Sequence, residues 1–193
     1  MDDQMNAAQA REHIEMVDRI LAESHPRLCA GGDFFVVWGV ASAFITVLFH
    51  FVDTGVIEAR TLWSVPVVLA ACALYSVLRA RALRRTIVRT SLVQREFFNV
   101  LWITLGLAFV VNVAAFRLFP GLASAAIWSV AEAIVLLYIG MHGNRRAQIA
   151  GVLVVVSLVV ANFIAPDRTA YVLAAGMLVG YAGFGIGELL ATA

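Results

Sequence analysis

Charge is scarce in this chain: 14% of its 193 residues are charged and 62% are hydrophobic, where a soluble domain has roughly 25% and 45–50%. A water-soluble fold has no interior large enough to hide that much apolar surface. Cysteine is nearly absent. Cys29 lies ahead of the first long apolar stretch and Cys72 inside the second. Neither place favours a disulfide, and two thiols without histidines at ligand spacing make no zinc site, so both read as structural. No catalytic, nucleotide-binding or metal-binding motif occurs, so no cofactor and no metal are expected and no activity is named. Residues 1–24 are acidic and lack both a continuous apolar core and a small-residue cleavage site, which argues against a secretory signal.

What the chain does have is six long apolar stretches, at 33–52, 61–78, 97–119, 122–141, 147–164 and 169–190. A bilayer core of about 30 Å needs about 20 apolar residues per helix, and these lengths fit. The expected fold is all-α: a bundle of six transmembrane helices (31–193) preceded by a cytoplasmic amphipathic helix and linker (1–30), with no room for a second globular domain. Arg11, Arg19 and Arg27 precede the first span, Arg79, Arg81, Arg84, Arg85, Arg89 and Arg95 follow the second, and Arg145 and Arg146 follow the fourth. The opposite connections carry only Arg60, Arg117 and Arg168. Because cytoplasmic loops collect arginine, this bias places both termini in the cytoplasm. Phe34, Phe35, Phe97, Phe98 and Tyr138 at the inner ends, with Trp63, Phe116, Phe119 and Tyr171 at the outer, supply the interfacial aromatic residues expected there.

Ala7, Ala10, Ile14, Val17 and Leu21 recur at three- and four-residue spacing over 6–24, a narrow apolar stripe that His25-Pro26 ends. This helix is net acidic, whereas the 79–95 connection holds arginines and no acid until Glu96. Docking of one on the other, or on the copy in a second subunit, is one expectation; a solvated helix that merely obeys charge topology is the other, because exposed ion pairs are weak. The arginine run lacks interleaved aromatics and is explained by topology, so nucleic acid is not an expected partner. The expected partners are the lipid bilayer and a second copy or another membrane protein.

Glu132 stands near the middle of the fourth span. At about 1.5 Å per residue it reaches the bilayer midplane, where a charge costs at least ~2.5 kcal/mol, so it should face the protein interior. Ala125, Ser129, Glu132, Leu136 and Gly140 share its helix face. Such an acid serves proton or cation handling, or simply bonds a neighbouring helix. In the first span Gly39, Ser42, Thr46 and His50 lie on one face, with Asp53 just beyond; Thr104, Ala108, Asn112 and Ala115 form a similar face on the third, and Asn162 ends the fifth. An outward-opening cavity lined by His50, Asn112 and Asn162 above Glu132 competes here with ordinary interhelical hydrogen bonds worth about 0.6 kcal/mol each. His50 and His142 cannot sandwich a haem, because their spans run in opposite directions and put them at opposite faces. Gly176, Gly180, Gly183 and Gly187 make a small-residue face on the sixth span, suited to close helix contact. Glu188 then sits where it can reach headgroup water.

Asp33-Phe34-Phe35-Val36-Val37-Trp38 has a loose echo in Glu96-Phe97-Phe98-Asn99-Val100-Leu101-Trp102, a faint sign of tandem hairpins. The stretch from Ile14 to Gly39, with Met16, Ile20 and Leu21 followed by Gly31-Gly32-Asp33-Phe34-Phe35 and Trp38-Gly39, resembles the start of a group of uncharacterised bacterial multi-pass membrane proteins, and Arg84 to Trp102 resembles a later part of them. The resemblance covers about half the chain. It implies the bundle architecture and a bacterial plasma (inner) membrane location, and it assigns no activity and no site. The exclusive use of arginine over lysine matches the coding bias of GC-rich bacterial genes. Two functional readings follow. One is a non-enzymatic scaffold, sensor or accessory subunit. The other is a small proton- or cation-linked transporter or channel working through Glu132. No Ser/His or His/Glu cluster converges at one depth, so an enzyme is not expected.

Overall fold

Backbone amides in hydrocarbon have no water to bond, so an apolar stretch of this length closes its own hydrogen bonds as a helix. The computed structural model of the chain, which describes residues 12–17, 31–86, 92–114, 121–164 and 168–192, follows that rule, and no strand occurs among the described residues. Helix α1 covers Gly32–Asp53; a 3-10 turn over Ala59–Trp63 leads into α2, Ser64–Thr86. Helix α3 is Leu92–Ala114 and α4 is Leu122–Met141. Helix α5, Arg145–Val159, runs on into a π turn at Val160–Ile164. The last rod is α6, Thr169–Gly176, a π turn at Met177–Ala182, and α7, Gly183–Thr192.

Five of these rods, Gly32–Asp53, Ala59–Ala82, Leu122–Met141, Arg145–Phe163 and Thr169–Ala191, are long and apolar enough to cross a membrane. The described apolar part of α3 is shorter, Asn99–Ala114, and the remainder of the expected third span, with Phe116 and Phe119, lies outside the described residues. So do most of the expected 6–24 helix, Cys29, and the 87–91 part of the basic connection. Residues 12–17 are helical and exposed.

The rods alternate in direction. Helix α1 lies antiparallel to the last rod, with Gly39 against Ala182, Thr46 against Met177 and the ring of His50 on Tyr171. Helices α4 and α5 form a hairpin through His142-Gly143, where Gly143 takes the left-handed φ of 95° that a glycine accepts without strain. Asn144 caps α5 by accepting from the Ala147 N–H at 3.1 Å. Phe35 packs edge-on against Tyr181 and Phe184 at 5.1 and 4.9 Å, and these rings join Leu136, Ile139 and Val154 in the main core.

Helices α2 and α3 sit outside that core. In its most apolar window the rod that contains α2 is 6% buried, against 56% for the last rod, so α2 flanks the bundle rather than building it. Polar ties near its C-terminal end hold it to α1. Tyr75 Oη and Arg79 Nε both donate to Asp33 Oδ2, at 2.6 and 2.5 Å, and Trp38 Nε1 donates to Ser76 Oγ at 3.0 Å.

One expectation changes at the end of the last rod. Glu188 is buried rather than in headgroup water, and its Oε1 accepts from Asn144 Nδ2 at 3.3 Å. The π turn is the reason. A π turn inserts an extra residue into the helical ladder, so the inward face moves from 183 and 187 to Phe184 and Glu188.

Candidate functional site

Small residues bring α1 and α4 close enough for their polar side chains to meet. Ser42 Oγ donates to Glu132 Oε1 at 2.5 Å. Glu132 is 3% exposed, and its other oxygen, Oε2, is buried with no hydrogen-bond partner. Ala125, Ser129, Leu136 and Gly140, which share its helix face, are buried as well. An unmet oxygen at that depth is expensive, because hydrocarbon offers no water in exchange.

Glu132 is among the residues lining a cavity of about 480 Å³ formed by α1, α2, α3, α4 and the second π turn, within the range of small-molecule sites. Phe34, Trp38, Phe49, Phe109, Trp128 and Tyr181 supply aromatic wall, and the other polar groups are Ser42, Thr46, Asn112 and Ser124. Most of these polar groups are already engaged. Thr46 Oγ1 donates to the Ser42 carbonyl at 2.8 Å and lies 3.5 Å from Met177 Sδ. Asn112 Nδ2 donates to the Ala108 carbonyl at 3.0 Å, and its Oδ1 accepts from Ser124 Oγ. Helices α2 and α3 supply part of the cavity wall: polar bonds tie α2 to α1 through residues 75–79, and Val65 and Leu69 of its other half line the cavity.

Of the residues singled out in the sequence, the structure brings Ser42, Thr46, Asn112 and Glu132 to this one cavity. His50 and Asn162 stand apart from its lining. His50 is half-buried with its ring 5.0 Å from that of Tyr171, and Asn162 is exposed, bonding back to the Leu158 carbonyl at 2.8 Å. The glycine face divides. Gly180 meets α5 so closely that an added Cβ would stand 2.6 Å from Val154 Cγ2, and Gly176 faces Ser157 in the same way. Gly183 is exposed and Gly187 has open space beside it, because the π turn rotates both away; Gly185 instead meets Gly32 and Val36 of α1.

Sequence reasoning passed over Ser124, Trp128, Trp38, Met177 and Tyr181. Ser124 and Trp128 stand eight and four residues before Glu132 on the same helix, so the 3.6-residue period carries a signal for them. Met177 and Tyr181 belong to the π turn, which no local pattern announces. Among the described residues no three His, Cys, Asp or Glu side chains gather as a metal site. Comparison of the chain with protein families, with curated proteins and with solved structures gave no match.

Proposed function

We propose that this is a non-enzymatic protein of the bacterial plasma (inner) membrane, with six spans and both termini cytoplasmic, that acts as a sensor, scaffold or accessory subunit by holding a small lipophilic molecule in the cavity around Glu132. The observation that carries the reading is the buried Glu132, an acid among the lining residues of a 480 Å³ aromatic cavity. The five long apolar rods support the membrane location. The arginine bias supports the orientation, and the sixth span rests on the apolar Asn99–Ala114 stretch continuing to 119. Kinship with the bacterial multi-pass group is supported by the resemblance of Ile14 to Gly39 and of Arg84 to Trp102.

A second reading, a small proton- or cation-linked transporter, is favoured by the same acid near the midplane. Native mass spectrometry of the protein extracted gently from its own membrane tests both. A retained small molecule is the expected result, and a stoichiometric foreign protein supports the accessory role. A bare protein without either overturns the proposal. Replacing Glu132 by Gln in a folded variant without any change of phenotype sinks the transport reading.

A further inference from the structure

The chemistry of the cavity wall narrows what it holds. Among the lining residues there is one acid, Glu132, and no arginine or histidine. An anionic headgroup, whether phosphate or carboxylate, therefore meets no counter-charge here and faces a carboxyl group instead. A wholly apolar occupant brings no polar partner to the Glu132 carboxyl group. A hydrogen-bond donor brings one, once the carboxyl group turns its closed-off Oε2 toward the cavity while Ser42 bonds Oε1. The aromatic wall sharpens the choice among donors. Ring faces attract cations most strongly where water is excluded, and Phe34, Trp38, Phe49, Phe109, Trp128 and Tyr181 all border the same space.

Resting on the reading of this cavity as a ligand site, we propose that its ligand is a lipophilic amine, whose nitrogen pairs with the Glu132 carboxyl group and whose hydrocarbon part lies among the aromatic rings. Ammonium and carboxylate together are neutral, so binding buries no net charge, whichever partner carried the proton beforehand. A charge-assisted bond of this kind is about twice as strong as one between neutral groups.

The test uses the full chain in nanodiscs of zwitterionic lipid, with tryptophan emission as readout because Trp38 and Trp128 line the cavity. Three probes of one chain length are titrated: N,N-dimethyldodecylamine, dodecanol and dodecanoate, each corrected for empty nanodiscs. The amine is expected to saturate at a concentration about tenfold or more below the other two. E132Q is expected to erase that preference while leaving dodecanol binding in place. V113F, which enlarges a cavity-lining side chain of α3 and adds no indole to the readout, is expected to weaken saturable binding of all three. Equal binding of the three probes overturns the amine assignment and leaves the cavity reading standing. No saturable binding by the wild type overturns both. A preference for the amine that persists in E132Q overturns the role given to Glu132. If E132Q does not fold, the headgroup comparison in the wild type decides alone.

Discussion

Two sides of this bundle are built by different rules. On one side α1, α4, α5 and the last rod touch backbone to backbone: Gly39 lies on Ala182, Gly140 on Gln148 and Gly180 on Val154. In a membrane, lipid tails compete equally for apolar side chains, so helices adhere through close packing of small residues rather than through hydrophobicity. On the other side α2 and α3 carry large outward residues such as Leu74, Trp102, Ile103 and Leu107, and α2 is held by the Asp33, Tyr75 and Arg79 cluster with help from Trp38 and Ser76. The contrast frames the proposed ligand site. The tight side positions Glu132, and the loose side leaves the space in front of it.

The sharpest way to break the contrast is a truncation on the tight side. Leu136 has no exposed surface, so L136A opens a void that its neighbours cannot fill and should cost about 3 kcal/mol in thermal or denaturant unfolding. Next comes G180A. Its Cβ would stand 2.6 Å from Val154 Cγ2 and 3.0 Å from the Ala150 carbonyl, and a loss of about 2 kcal/mol is expected in the same assay. D33A should cost about 1 kcal/mol, because its partner Arg79 is partly exposed and part of the ion pair's worth is screened. Its more telling readout is Cys72, a free thiol buried on α2. In a C29S background, D33A should speed Cys72 labelling by a membrane-permeant maleimide, whereas L136A in a folded population should not. The smallest effect belongs to L107A. That residue is 62% exposed on α3, and its loss should change stability by less than about 0.5 kcal/mol. A large effect there would mean that the loose side carries the fold after all.

Much of this was legible in the sequence, for reasons that can be stated. Hydrophobic length alone located the five long rods, because the backbone has no alternative to the helix in hydrocarbon. The inward face of Glu132 followed from the 3.6-residue period, and so did the polar face of Ser42 and Thr46. What a period cannot give is the partner across the gap. His50 shares a face with Ser42, yet it sits two turns further along, where Tyr171 meets it. Asn162 is satisfied by its own helix. The register of the last rod was hidden for a different reason. Met177–Ala182 reads as ordinary helix, and only the tertiary structure reveals the inserted residue that turns Gly183 and Gly187 outward, buries Glu188 and brings Met177 and Tyr181 to the cavity.

The most direct test of the central claim is a native mass spectrum of V113W beside the wild type, both extracted gently from the same membrane. Val113 borders the cavity but is 62% exposed and takes no part in the tight side. The expected result is a folded variant that has lost the small molecule retained by the wild type. A variant that keeps the molecule, or that unfolds when the cavity is filled, would contradict the division of labour between the two sides.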